Sequence, residues 1–381
     1  MTATIKQAYQ QIFNDEPVLF FSPGRINIIG EHTDYNGGFV LPAAIDKGIY
    51  LAVNKRADSA IELYAAAFND YYSCTTKTVA KANKQWPNYV LGVVNELQQA
   101  GYEIGGFNLV VDGDLPVGAG LSSSAAVECA TIFALNDLFE LNISKQRMVQ
   151  LAQKAEHNFA GVLCGIMDQF ASMFGKKDHV IKLDCRTLEY EYVPLQLEGA
   201  KIVLLNTNVK HSLASTAYNT RRNECAQGVQ WIQEKHPEVS LLRDATVDML
   251  DECVKGKDTT VDTRCRFVVE EIMRLQQGCE DLKHGNLSAL GKKMFATHDG
   301  LSHQYEVSCK ELDYLVDAVR NKPGVIGARM MGGGFGGCTI NLVKEEAIEE
   351  LVSVLSKNYQ ETTGLQLDAY IVQTGDGTRR L

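Results

Sequence analysis

Apolar residues recur at helical spacing where the chain begins, at Ile5, Tyr9, Ile12 and Phe13, and the segment ends on acidic residues. That spacing predicts an amphipathic helix rather than a cleavable leader. The pattern then shortens. VLFFSPG, GGFVLPAAI, GIYLAVNKR and AIELYAAAF are rich in branched and aromatic residues between turn signals, as strands are. A helix is expected over 86–101 with Gly101 as its stop, then a strand at FNLVVDGDLP. Helices follow at 122–139, at 145–159 ended by Gly161, and at 167–174. Periodicity weakens over 188–199. KIVLLNTN then opens a second half dominated by helices at 218–233, 262–277, 287–297 and 308–320, the last with a capping box of Ser308 and Glu311. GVIGARMM and CTINLV read as strands around a glycine run, and a helix carrying Ile348, Leu351, Val352 and Leu355 precedes the closing strand AYIVQT. That order implies a small antiparallel sheet covered on one face.

With 381 residues, 45% of them hydrophobic, the chain can bury more than one compact core. Two domains are expected, over 1–195 and 196–381. A net charge of -10 argues against a general affinity for nucleic acid or for an anionic membrane, both of which need a basic field. No apolar run is long enough to span a bilayer. The ten cysteines are scattered singly with no CxxC pair, so they read as reduced thiols of a cytoplasmic protein, several of them filling core space.

Four stretches carry candidate chemistry. SPGRINIIGEHTDYNGGFVLP places Arg25, Glu31, His32 and Asp34 in one glycine-bent turn between apolar strands. PVGAGLSSSAAVECA sets Gly118 and Gly120 ahead of Ser122, Ser123 and Ser124 at the start of a helix, where free amides and the helix dipole favour an anion. No Gly-Lys-Ser or Gly-Lys-Thr follows, so this is not a Walker A loop. In GVLCGIMDQFAS, Asp168 opens a short helix; alone it reads as an ordinary helix-start aspartate, as Glu156 reads as a solvated helix residue. GARMMGGGFGGCTI has five glycines over 332–337, a density that is costly unless backbone must pass close to something. His298 and His303 lack the spacing of a helical metal pair.

Taken together these stretches resemble the galactokinase family of the kinase superfamily that includes homoserine, mevalonate and phosphomevalonate kinases (the GHMP kinases), and the resemblance covers nearly the whole chain. It implies an α+β fold of two domains, an N-terminal one like ribosomal protein S5 domain 2 and a C-terminal ferredoxin-like one, with the active site in the cleft between them. It implies ATP-dependent phosphorylation of the C1 hydroxyl of galactose, the committed step of galactose use, with Mg²⁺ as metal. Gly118, Ala119, Gly120, Leu121, Ser122, Ser123 and Ser124 would wrap the phosphates, Trp86 would lie beside the adenine, and Ser124 and Glu156 would hold Mg²⁺. Glu31, His32, Thr33, Asp34 and Tyr218 would bind the sugar; Asp168 would face the C1 hydroxyl as base, with Arg25 beside it. A monomer acting on small molecules is expected. One position departs from the family pattern: Met331 stands where threonine is common.

Two other readings compete. A kinase for N-acetylated or otherwise modified galactose would share most of these residues. A non-catalytic sugar sensor on the same fold would be expected to have lost the serine loop or the base, and Ser122, Ser123, Ser124 and Asp168 are all in place.

Overall fold

The computed structural model describes all residues except Val117 and 210–213, and the side chains of 214–216 are likewise left aside. In chain order the first half runs α1 (Thr2–Phe13), β1 (Val18–Asn27), β2 (Phe39–Val40), β3 (Pro42–Lys55), β4 (Ala60–Ala65), β5 (Asp70–Thr75), α2 (Pro87–Gln99), β6 (Phe107–Gly113), α3 (Ser123–Phe139), α4 (Lys145–Ala155), α5 (Met167–Phe174), β7 (His179–Asp184) and β8 (Tyr190–Pro194). The second half runs β9 (Ala200–Asn206), α6 (Ala214–Gln233), α7 (Val247–Cys253), α8 (Thr259–Lys283), α9 (Leu287–His303), α10 (Lys310–Val319), β10 (Val325–Met330), β11 (Cys338–Lys344), α11 (Ile348–Thr363), β12 (Asp368–Val372) and β13 (Arg379–Arg380).

The first sheet has the order β13-β1-β3-β6-β4-β5, antiparallel except for the parallel β4–β6 pair. Alternation sorts its two faces. Leu51, Val53 and Leu109 join the main core with helices α3 and α5, while Ala52 and Val110 meet Ile5 and Tyr9 of α1. The second sheet, β10-β11-β9-β12, is antiparallel throughout. The final residues return to the first sheet, where Arg379 and Arg380 pair with Phe21 and Phe20.

Most expected elements form, and the differences have physical causes. The expected strand GGFVLPAAI splits: Phe39–Val40 forms β2, paired with β7, while its end fuses with GIYLAVNKR into the long β3, because Gly48 pairs with Pro23 next to the bulge in β1 rather than turning the chain. The 188–199 region is not patternless: β7 and β8 form a hairpin whose polar outer residues mask the alternation. The second sheet is covered on both faces, with Val203 and Leu205 under α10 and α11 and Ile202 and Leu204 in the main core. The Ser308–Glu311 capping box does not form, because the Ser308 hydroxyl donates to Asp313 at 2.5 Å and α10 starts one residue later. The helix expected to reach residue 159 ends at Ala155 and continues as a π turn, Glu156–Ala160. Such turns redirect side chains at functional sites, and this one turns Glu156 into the interior. All ten cysteines are unpaired and six are buried.

Candidate active site

One buried arginine joins three of the sequence motifs. Arg25 lies on β1 next to the bulge, and its amide donates to the Leu121 carbonyl at 3.1 Å. Its Nη1 donates to the Gly120 carbonyl at 2.6 Å, while Nε and Nη2 reach Asp168 Oδ1 and Oδ2 at 2.7 and 2.9 Å. This two-pronged pair fixes the Asp168 carboxylate in plane as well as in position. The Ser122 hydroxyl, on a residue with φ of 57°, also donates to Asp168 Oδ2. Burial opposes the charge on Arg25, but Asp168, with Glu31 and Asp34 behind it, more than offsets this and raises its affinity for the proton.

A cavity of about 320 Å³ opens on this pair, lined by Arg25, Glu31, His32, Asp34, Asp168 and Tyr218 and closed by Cys164 and backbone of the glycine run. Glu31 is held from behind. Its Oε1 accepts from Arg329 Nη2 and from the Gly332 amide, both at 2.9 Å, and its Oε2 makes no hydrogen bond among the described residues. Asp34 shares the wall with Asp168 and Glu31, and burial together with their charges pushes its carboxyl up to about 7 although the Tyr35 amide opposes this. Gly165 is required here, since a Cβ at that position would stand 1.7 Å from Asp34 Oδ2. His32 sits at φ 62°, and burial pushes its ring down to about 4, so it is neutral at physiological pH. Tyr218 packs its ring 5.4 Å from that of His32.

Thr33 is not on the cavity wall. Its hydroxyl donates to the Gly30 and Phe39 carbonyls and ties the turn together. The glycine run passes close to backbone, as its density implies: a Cβ at Gly334 would meet the Val307 carbonyl at 2.0 Å. Met331, by contrast, turns its side chain into the main core. His298 is a core histidine whose Nδ1 accepts the Met330 amide at 3.2 Å.

A second cavity of about 500 Å³ is lined by Trp86, Tyr89, Ile49, Leu115, Ser123 and Ser124 among others, while Glu156, the partner of Ser124, lines the first. Trp86 is anchored by its indole N–H to Asp70 at 2.8 Å. Gly118 and Gly120 occupy the left-handed region while Ala119 and Leu121 are buried, so the loop offers main chain and the free amides of α3 to a ligand; Val117 within it lies outside the described residues. Ser124 Oγ donates to Glu156 Oε1 at 2.9 Å. Glu156 Oε2 accepts from Gln169 Nε2 at 2.6 Å, and the same amide nitrogen reaches the buried Glu128 at 3.1 Å. Burial and the nearby Asp168 push Glu156 up; burial and Glu156 push Glu128 well up. This corner is a set of hard oxygen donors carrying more negative charge than its surroundings balance, which fits a small divalent cation.

Sequence reasoning missed Arg329, Gln169 and Glu128. Arg329 is fully buried, with Nε on the Ile28 carbonyl at 2.8 Å, Nη1 on the Met330 carbonyl at 2.6 Å, and Nη2 on Asn27 and Glu31. An arginine inside an otherwise apolar strand was the available signal. Glu128, a charged residue within the apolar helix run AAVECATIFAL, carried a similar signal, and Gln169 lies in the largely apolar α5.

Comparison with known proteins identifies the family. A model of the GHMP kinases N terminal domain matches residues 88–176, the galactokinase galactose-binding signature matches 7–55, and the GHMP kinases C terminal model matches 280–361. A galactokinase of Thermotoga maritima is 42% identical over 360 residues, covering 94% of this chain and 99% of that protein. One of Bacillus subtilis is 40% identical over 388 residues, covering 100% of this chain and 99% of that protein. The crystal structure of Lactococcus lactis galactokinase complexed with galactose superposes with a TM-score of 0.96 at 37% identity, covering 100% of both chains. A mevalonate kinase shares the fold, with a TM-score of 0.66 at 20% identity over 94% of this chain and 99% of that one. The chain belongs to the galactokinase family of the GHMP kinases.

Proposed function

We infer that this chain transfers the γ-phosphoryl group of ATP to the C1 hydroxyl of α-D-galactose, giving galactose 1-phosphate. The observation that carries the reading is the two-pronged Arg25–Asp168 pair, which lines a cavity with Glu31, His32 and Asp34 and is hydrogen-bonded to Gly120 and Ser122 of the serine loop. In phosphoryl transfer the protein aligns the nucleophile and stabilises developing charge. Asp168 orients the C1 hydroxyl and takes its proton late in a loose transition state. Arg25 spends three of its five N–H groups on Gly120 and Asp168, which leaves two for the transferring group.

Glu31, Asp34, His32 and Tyr218 hold the sugar, and Thr33 shapes the turn that carries them. Trp86 lies beside the adenine, and the 118–124 loop wraps the phosphates. Ser124 and Glu156 would hold Mg²⁺, which would supply positive charge against the phosphates. The division into 1–195 and 196–381 assigns the nucleotide loop and base to the first part and Tyr218 and the glycine run to the second. A monomer suffices for this arrangement, since one chain supplies every residue named. The unpaired cysteines support a reducing, cytoplasmic setting, and among the described residues no helix is long and apolar enough to cross a membrane.

A coupled ADP-release assay over a sugar panel, with and without Mg²⁺, tests this reading. Galactose should turn over and require the metal. A site whose buried carboxylates pair with specific hydroxyls can reject an epimer by about 10⁴-fold, so glucose should be a very poor substrate. Preference for N-acetylgalactosamine, or galactose binding without turnover, would overturn the assignment.

A further inference from the structure

The ring of His32 is the start of a hydrogen-bonded chain that runs away from the sugar cavity. His32 Nδ1 lies 2.8 Å from the Tyr35 hydroxyl, which lies 2.8 Å from the Tyr305 hydroxyl, which lies 3.2 Å from Cys225 Sγ. Both tyrosine rings also flank the imidazole, with Tyr305 at 4.9 Å and Tyr35 at 5.8 Å from it. Tyr305 is itself fixed, fully buried, with its carbonyl held by Arg221 at 2.6 Å. We propose that Tyr35 and Tyr305 are positioning residues that lock His32 in the tautomer with its proton on Nε2, so that its ring presents a neutral donor among the carboxylate acceptors of the cavity.

The direction of the chain follows from its far end. Cys225 Sγ and the Tyr305 hydroxyl are in hydrogen-bond reach with either able to donate, and sulfur is the poorer acceptor, so the S–H turned toward the phenol oxygen leaves the phenol proton for a better partner. Tyr305 then donates to Tyr35, and Tyr35 to His32 Nδ1, which matches the strongest donor with the strongest acceptor. The opposite direction would end a phenol proton on sulfur, a weak acceptor. With Nδ1 accepting, Nε2 carries the proton, and this buried nitrogen has no hydrogen-bond partner among the described residues although its residue lines the cavity. A sugar hydroxyl there accepts from His32 while donating to Glu31 or Asp34, which fixes its orientation twice.

This inference rests on His32 belonging to the sugar site, and its test separates the two. Long-range ¹H–¹⁵N spectra of the whole, unliganded protein labelled at histidine, with the His32 signal assigned through His32→Gln, read the tautomer without any turnover. The wild-type ring should show a protonated Nε2 and an unprotonated Nδ1. Tyr35→Phe should give a mixture of tautomers and raise the galactose KM about 10-fold, and Tyr305→Phe should raise it about 3- to 10-fold, the range that one buried hydrogen bond spans. The ATP KM and kcat should stay within about twofold, a split that general loosening of the fold would not produce. A wild-type ring protonated on Nδ1, or a Tyr305→Phe protein with unchanged tautomer and galactose KM, overturns the chain. An unchanged galactose KM in His32→Gln overturns instead the placement of His32 in the sugar site.

Discussion

Replacing Asp34 with asparagine should stabilise the unliganded protein at alkaline pH while weakening its hold on galactose. Burial beside Glu31 and Asp168 lifts the Asp34 carboxyl from its ordinary 3.8 to about 7. A shift of one unit corresponds to about 1.4 kcal/mol, so a fully sealed charge would cost about 4 kcal/mol. Asp34 is only half-buried, and water in the cavity reduces this to ~1–3 kcal/mol. The sign is fixed by linkage. The folded protein binds this proton more tightly than the unfolded chain, so the favourable contribution is complete below about pH 4 and is lost as pH rises through about 7. An asparagine side chain in its place would not ionise. Urea unfolding of wild type and Asp34→Asn without sugar at pH 5, 6.5 and 8 should therefore show a stability gap that opens with pH in favour of the variant. Galactose affinity, measured by calorimetry at pH 8, should fall about 10- to 100-fold, because hydrogen bonds to a charged acceptor are lost. Parallel stability profiles across the three pH values would refute the claim that this carboxylate is held ionised at a cost for the sake of the sugar.

Two other substitutions probe the neighbouring groups. Arg25→Ala should lower kcat far more than it raises the galactose KM, since the guanidinium both fixes Asp168 and retains donors for the transferring group; steady-state kinetics showing the reverse would make Arg25 a sugar-binding residue. Met331→Thr, which restores the residue common in the family, should destabilise the protein by about 1–3 kcal/mol in thermal or urea melts, because it shrinks a core side chain and buries a hydroxyl. Its ATP KM should be unchanged, and a clear shift there would mean that the side chain reaches the nucleotide after all.

Much of the site was legible because its chemistry is packed into short, unusual stretches. Arg25, Glu31, His32 and Asp34 cannot all be explained by one ordinary turn, and three serines behind two glycines exceed what capping needs. The structure brings these together with Asp168 and Glu156 across separations of more than a hundred residues, as between Arg25 and Asp168. What escaped was the support behind them. Arg329 sits in a strand 298 residues from the Glu31 it holds, and nothing in either segment's periodicity links them. Tyr35 and Tyr305 are connected only by the fold, and the partner of Glu128 is supplied only when Gln169 of α5 packs against α3. The same limit affected the fold: Gly48 reads as a turn signal until its partner strand is known, and the β7–β8 hairpin carries too many polar residues to show alternation. Local chemistry was readable, whereas contacts made by tertiary approach were not.

The central claim is that Asp168 acts on the bound sugar rather than binding it. Asp168→Asn, with galactose affinity measured by calorimetry and turnover by ADP release on the same preparation, tests this most directly. The account predicts a loss of kcat of about 10³-fold or more, since the neutral amide can accept a hydrogen bond but cannot take the proton, with galactose affinity within about 10-fold of wild type. Wild-type-like kcat, or loss of sugar binding in step with loss of turnover, would contradict it.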